Sequence, residues 1–202
     1  MDDYISSIPE WYRETLLDDQ KSLDFLRKLR LNEWFICPGC LKPLRMVPSQ
    51  FGKQHWCAKC HHRFYDFSGT FLNNNKLPWS RVILGAHLFI LGVSANQTAK
   101  YLEVNYKSIL NLFHNIRLAI SIYYKKCRKE ERMFFKGRRC YLRPGFARYL
   151  KGKLESYRHI SPRNKVLYLM EQEFRYNEKN KAEVLPHLLS YLLRDKSHLK
   201  AP

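Results

Sequence analysis

The sequence has few acidic residues and no long apolar run. Its 202 residues include 18 Asp and Glu against 36 Lys and Arg, a formal net charge of +18. No apolar stretch approaches the roughly 18 residues that span a membrane, and the acidic start lacks the apolar core of a signal peptide. We therefore expect no membrane partner. We expect a location in the cytoplasm with the nucleoid, or in the nucleus if the host is a eukaryote.

The positive charge is concentrated in one part of the chain. Residues 125–165 contain fifteen Lys and Arg against three Glu, whereas residues 1–36 contain eight acidic and five basic residues. This excess favours a polyanionic partner, because binding releases the counterions of the polyanion. A solvated basic face is the alternative interpretation. We expect double-stranded DNA as the partner.

Four of the six cysteines form two CxxC pairs, Cys37/Cys40 and Cys57/Cys60. Thiolate ligands at the spacing C-x2-C-x16-C-x2-C are typical of a tetrahedral Zn site that is closed by two knuckles. The Pro38-Gly39 pair suits the tight turn of the first knuckle. Because four sulfurs complete the coordination shell, we predict zinc as a structural cofactor.

The remaining cysteines and the histidines near the pairs have less specific interpretations. Cys127 and Cys140 are expected to be free thiols in a reducing compartment, since the sequence carries no signal for secretion. His55, His61 and His62 are alternative metal ligands. We expect them instead to be exposed or to lie beside the thiolates.

The pattern of apolar residues predicts a mainly α fold with a small β zinc ribbon, followed by a helix-turn-helix and a C-terminal helical segment. Two short helices are expected within residues 9–30, and residues 68–77 are expected to form a polar linker. The predicted segments are N-terminal helices (1–34), the zinc ribbon (35–70), the helix-turn-helix (76–126) and a basic segment with C-terminal helices (127–202), these last helices falling at 145–156, 162–178 and 183–194.

Capping signals define the helix-turn-helix. One helix is predicted from Pro78 to near Gly92, and the next begins after Ser94, which forms a capping box with Gln97. After a three-residue turn, Asn105 is expected to cap a longer helix that reaches about Lys126. The apolar residues of that helix recur at intervals of four and three, and they form its predicted buried face: Ile109, Phe113, Ile116, Ile120 and Tyr123.

The polar residues at the start of the longer helix are candidates for reading DNA. In a helix-turn-helix the N-terminal end of the second helix reaches the base edges, and Lys107, Ser108 and Asn111 have suitable donors and acceptors. An ordinary helical hairpin with a solvated polar face is the alternative. Further DNA contacts are expected from Gln97, Lys100, Tyr106, Arg117, Arg138 and Arg139.

Several motifs resemble those of a known family, the bacterial insertion-sequence transposases of the zinc-ribbon DDE type, which are related to the eukaryotic Merlin elements. The resemblance covers about residues 22–117, and it implies a region that binds the terminal inverted repeats of a mobile element. The motifs that carry it are Cys37-Pro-Gly-Cys40, Trp56-Cys57-Ala-Lys-Cys60, Ser68-Gly69-Thr70-Phe71, Leu77-Pro78-Trp79, residues 93–99 and Tyr106-Lys107.

The sequence departs from that family where its catalytic domain would follow. The resemblance implies an RNase H-like domain whose acidic residues hold two divalent metal ions. No Asp occurs between Asp66 and Asp195, and residues 141–144 contain no carboxylate or amide where the third catalytic residue would fall. Residues 145–177 again resemble the closing helices of the family. We therefore predict no catalytic residue and no enzymatic activity.

Three functions are consistent with these patterns. The favoured hypothesis is a sequence-specific DNA-binding protein that derives from such a transposase and recognises element ends or a regulatory site without strand-transfer chemistry. An active or partner-dependent transposase subunit would need a rearranged site. Glu171 and Glu173 are available for one, although side chains two apart on a helix diverge. The third hypothesis is an RNA-binding or interaction zinc-ribbon protein.

The C-terminal helices supply the argument for an interaction protein, because their apolar residues lie on one side. These residues are expected to pack on each other, on the N-terminal part of the chain, or on a partner chain. We predict a homo-oligomer or a heteromeric protein partner. The residues concerned are Val166, Leu169, Met170, Leu185, Leu188, Leu189 and Leu192.

Overall fold

The structure is a computed structural model that describes residues 13, 18–31, 35–44, 52, 54–124, 144–154, 160–178 and 181–196. Over these ranges the fold is mainly helical, with two short β hairpins beside a four-cysteine cluster, and the predicted fold class is confirmed. In chain order the elements are α1 (Asp19–Leu31), β1 (Phe35–Ile36), β2 (Pro43–Leu44), β3 (His55–Trp56), β4 (Arg63–Phe64), α2 (Trp79–Leu91), α3 (Ala95–Tyr101), α4 (Tyr106–Ala119), a π-helix (Ile120–Tyr124), α5 (Pro144–Leu154), α6 (Pro162–Asn177) and α7 (Lys181–Leu193).

Short-range sequence signals set the boundaries of the helices. The Asp18 carboxylate accepts a hydrogen bond from the Gln20 N–H at 2.8 Å and caps the start of α1. Pro78 precedes α2, and Gly92 ends it with a left-handed φ of 87°, a conformation that glycine adopts without steric cost. Of the two helices predicted within residues 9–30, α1 is observed. The other falls mostly outside the described residues.

The predicted helix over residues 105–126 has two parts. It is α-helical to Ala119 and continues as a π-helix over Ile120–Tyr124. The Ser121 hydroxyl donates to the Leu118 carbonyl at 2.8 Å, which competes with the regular backbone pattern at that point. Residues 125 and 126 lie outside the described part of the chain. The predicted buried face is confirmed, since all five of its members are buried: Ile109, Phe113, Ile116, Ile120 and Tyr123.

Residues 68–77 do not form a polar linker, and this expectation is wrong. Phe71 and Leu72 are buried in the main core, and the Phe71 N–H donates to the Leu192 carbonyl at 3.1 Å. Thr70 forms an isolated antiparallel bridge with Asp195. The segment is packed because its apolar side chains fill the space beside α7, which outweighs the solvation of its asparagines.

The core lies around α2, which packs against α1, α4 and α7. Helix α7 fills one side of it with fully buried leucines, so packing on the N-terminal part, one of the three alternatives for the C-terminal helices, is observed for α7. Among the apolar residues predicted to lie on one side of the C-terminal helices, Val166 on α6 is an exception, because the residue is 46% exposed. Helices from three of the four predicted segments therefore share one core.

Candidate functional site

The four cysteines lie on two hairpins with the same local design. Strand β1 pairs with β2 and β3 pairs with β4, both antiparallel, and each CxxC turn lies between the two strands of its hairpin. The Leu41 N–H donates to the Cys37 carbonyl and the His61 N–H donates to the Cys57 carbonyl, both at 2.8 Å. Leu41 and His61 also share a left-handed φ of 58°. The two knuckles thus repeat one backbone conformation.

The thiols of the two knuckles converge on a single point. The Sγ atoms of all four cysteines lie within 4.8 Å of one another. Cys37 Sγ and Cys60 Sγ are 3.5 Å apart, and Cys40 Sγ and Cys57 Sγ are 3.8 Å apart. Sulfurs placed about 2.3 Å from a central ion in tetrahedral geometry would be separated by about 3.8 Å. The cluster therefore fits a metal ion held by four thiolates.

The thiols do not ionise independently. Backbone N–H groups of Cys60 and Lys59 lower the pKa of the Cys57 thiol to about 6. The His62 N–H acts to lower the pKa of Cys60, but burial and the three neighbouring thiols outweigh it and raise that pKa to about 12. Four thiolates in this space would repel one another, and a divalent cation between them would offset that repulsion.

Gly39 allows the close approach of the two knuckles. A Cβ atom at this position would lie 2.9 Å from His62 Cβ and 3.3 Å from Cys60 Sγ. The first distance is shorter than real Cβ contacts allow, so any side chain at position 39 would push the second knuckle away. The equivalent position in the second knuckle is Lys59, which is exposed.

A buried carboxylate joins the second hairpin to the helical core. Asp66 accepts hydrogen bonds from Arg27 Nε of α1 at 2.9 Å and from the Gly52 N–H at 2.9 Å. It also lies 2.7 Å from His55 Nε2. His55 is buried and bonded to this carboxylate, whereas His61 and His62 are exposed as expected. This network connects residues far apart in the sequence, and no local pattern signals it.

Helices α3 and α4 pack against each other across a short turn. The Ser94 hydroxyl accepts a hydrogen bond from the Gln97 N–H, and Gln97 Oε1 accepts one from the Ser94 N–H. The predicted capping box is therefore confirmed. Asn105 Oδ1 accepts from the Lys107 N–H at 2.8 Å, which confirms the predicted cap of α4. In the turn, Glu103 has a left-handed φ of 53°.

The structure brings most of the predicted DNA contacts onto the exposed sides of α3 and α4. Lys107 and Asn111 are exposed one helical turn apart, with Ser108 partly buried between them. Gln97 is exposed too, although its side chain is occupied by the capping box. Lys100 and Tyr106 are likewise exposed, whereas Arg138 and Arg139 lie outside the described residues.

Arg117 is not part of this surface, and its burial contradicts the prediction that it contacts DNA. Its side chain is 10% exposed, and its Nε donates to Glu171 Oε2 at 2.6 Å. The same carboxylate accepts from Arg175 Nη2 at 2.6 Å, and the Arg117 guanidinium lies 4.0 Å from the Tyr168 ring centroid. The cluster attaches α6 to the inner side of α4, beside a cleft of about 740 Å³.

Two exposed aromatic residues lie on the second hairpin, outside every predicted site. Trp56 and Tyr65 are each 60% exposed. Sequence analysis could have found them from the two-residue period of a strand, in which side chains alternate between the two faces. His55 and Phe64 point inward, and their neighbours point outward.

No helix in the described ranges is both long and apolar enough to cross a membrane. Comparisons of the chain with models of known protein families, with curated proteins and with solved structures found no match.

Proposed function

We propose that this protein binds double-stranded DNA at a specific sequence through the N-terminal end of α4, without catalysing strand transfer. The observation that carries the proposal is the arrangement of α4 itself. One side is anchored in the core through Ile109, Phe113 and Ile116, while Lys107 and Asn111 are exposed on the other. A rigid helix with exposed amide and ammonium groups at its start suits the major groove.

Charge supports a nucleic-acid partner. A formal net charge of +18 gives a strong attraction for phosphates, and Lys100 on α3 lies on the exposed side of the same two-helix unit. Phosphate contacts from α3 would fix the position of α4 on the duplex, while base contacts from α4 would set the sequence.

We propose zinc as the ion of the four-cysteine cluster. Soft thiolates and sulfur separations of 3.5 and 3.8 Å suit a tetrahedral Zn²⁺ site, with residues Cys37, Cys40, Cys57 and Cys60 as the ligands. Four protein ligands leave no open position, so the role of the ion would be to hold the two hairpins together.

The resemblance to zinc-ribbon transposases supports element ends or a related regulatory sequence as the target. For an active transposase, converging carboxylates would be needed to hold two metal ions. Glu171, one of the two candidates, accepts hydrogen bonds from Arg117 and Arg175 instead. This pairing favours a structural role for Glu171 and a binding function for the protein.

In vitro selection from random duplex DNA, with and without a chelator, tests the proposal. We expect a single enriched motif that persists when the metal is removed, because α4 is anchored in the helical core and not in the ribbon. Asn111→Ala and Lys107→Ala should each weaken binding to that motif by about 1–3 kcal/mol and relax the preference at one base pair. Lys28→Ala, which removes an exposed lysine from α1, is the control and should leave affinity unchanged.

The salt dependence of binding separates the two kinds of contact. Lys100→Ala should weaken binding equally on all sequences and lower the slope of log K against log salt by about 1. Selection without enrichment, or unchanged binding by both α4 variants, would refute sequence reading by α4.

A further inference from the structure

We infer that the outer face of the β3–β4 hairpin stacks on unpaired nucleobases. We call this the stacking face and define it by Gln54, Trp56, His61, Arg63 and Tyr65. The inference rests on the proposed function, because it gives the same protein a second nucleic-acid contact of different chemistry. Helix α4 offers polar groups to a paired duplex, whereas this hairpin offers aromatic rings.

The register of the hairpin places the two large rings on the same side. Trp56 pairs with Arg63 and His55 pairs with Phe64, so Trp56 and Tyr65 occupy diagonal outward positions. Diagonal neighbours on one face of a hairpin lie about 7–8 Å apart, within reach of one bound strand. At the other end of the face, Gln54 Nε2 donates to the Tyr65 hydroxyl at 3.4 Å.

The rings of Trp56 and Tyr65 do not pack in the core of the ribbon. The ribbon core consists of Cys37, Cys57 and Phe64, and the face opposite to it leaves Trp56 and Tyr65 each 60% exposed. His61 packs against Trp56 with ring centroids 5.0 Å apart, which orients the indole on the surface. Two large exposed rings on so small a unit mark a contact surface rather than a packing requirement.

The charge around the rings favours nucleic acid as the occupant. Among the described ribbon residues, the exposed charged side chains are all basic: Lys42, Lys59 and Arg63. The acidic residue of this region, Asp66, is buried and bonded to Arg27. Basic groups that follow a phosphate backbone, combined with aromatic rings that stack on bases, are the usual means of binding single strands. The bases of an intact duplex are already stacked, so the bases concerned must be unpaired.

The test compares three forms of one sequence by fluorescence anisotropy: a blunt duplex of the selected motif, the same duplex with a six-nucleotide 3′ overhang, and a single strand. We expect the wild-type protein to bind the overhang duplex more tightly than the blunt one. Trp56→Ala should remove that advantage, a loss of about 5- to 100-fold, and leave blunt-duplex affinity unchanged. Trp56→Phe, which keeps a ring, should restore most of it.

Tyr101→Ala is the matched control, because Tyr101 is an exposed aromatic residue on α3 outside the hairpin. It should leave the overhang preference intact, and thermal unfolding with a zinc assay confirms that each variant is folded. Equal binding of blunt and overhang duplexes by the wild type, or an overhang preference that survives Trp56→Ala and Tyr65→Ala, would overturn the inference. These results leave the proposed function standing, since the effect of Asn111→Ala is measured on the blunt duplex, which has no unpaired bases.

Discussion

Because Gly39 has no side chain, the second knuckle can approach the first closely. A methyl group there would contact His62 Cβ at 2.9 Å, and the backbone around it cannot move without moving Cys40. The geometry of the metal site therefore depends on a residue that contributes no ligand.

We expect Gly39→Ala to weaken metal binding, because it would separate the sulfurs of Cys37 and Cys40 from those of Cys57 and Cys60. Competition for zinc against a chromophoric chelator measures the change, and a loss of at least about tenfold is expected, in the range seen for changes beside metal ligands. Lys59→Ala alters the equivalent position of the other knuckle, where the side chain is exposed, and serves as the control. Equal effects of the two substitutions would contradict this explanation.

Asp24 and Asp66 both accept a hydrogen bond from Arg27, but the two carboxylates differ in their exposure to solvent. The Asp66 side chain is 7% exposed and the Asp24 side chain is 51% exposed. Asp66→Asn should lower the free energy of unfolding by about 3 kcal/mol, because it leaves Arg27 and His55 partly unpaired in the interior. Asp24→Asn should change it by less than about 1 kcal/mol. Urea unfolding of both variants measures the difference, and similar values would argue against Asp66 as the anchor of the ribbon.

At the scale of elements, local sequence predicts where helices begin and end. The helix caps predicted from residue type are observed, because capping involves neighbours within a few residues. They are formed by Ser94 with Gln97, by Asn105 and by Gly92. Partners between elements could not be predicted in this way. Arg117 lies four residues after the buried Phe113 and three before the buried Ile120, so its spacing places it on the inward face. Its carboxylate partner, however, is 54 residues away on α6 and leaves no local signal. Periodicity identifies a face but does not identify what covers it.

The capping box at the start of α3 allows the contribution of a single helix cap to the stability of the protein to be tested. Ser94→Ala removes the oxygen that accepts from the Gln97 N–H, and the free energy of unfolding should fall by about 1 kcal/mol. Ser94→Gly should cost only a few tenths of a kcal/mol, since glycine adapts at this position. Thermal or urea unfolding distinguishes the two variants. If alanine and glycine behave alike, the cap does not stabilise α3.

At the scale of the whole molecule, two separate cores hold the described chain. The ribbon has its own small core, and the helices share a larger one that includes Leu26 of α1 and Leu188 of α7. The spacing of the cysteines and the pattern of apolar residues predicted both a ribbon and helices. They could not predict that α1 and α7 would meet, because contacts between distant segments leave no periodic signal in a single sequence.

The separation of the cores predicts a partial response to metal removal. A strong chelator should abolish the structure of the ribbon while far-UV circular dichroism retains most of its helical signal, because none of the described helices contributes a cysteine to the cluster. Nuclear magnetic resonance of the Trp56 indole would report the loss of the hairpin. Cooperative loss of the helical signal on chelation would show instead that the ribbon and the helices fold as one unit.

The position of α7 has a consequence for synthesis on the ribosome. Its leucines Leu188, Leu189 and Leu192 complete the core around α2, and residues 192 and 196 bond to the backbone of Phe71 and Gly69. Helices α1, α2 and α4 therefore emerge well before the element that covers them. Until then their apolar surfaces remain open to chaperones and to other nascent chains. The DNA recognition that we propose for α4 would then become available only after α7 has been translated.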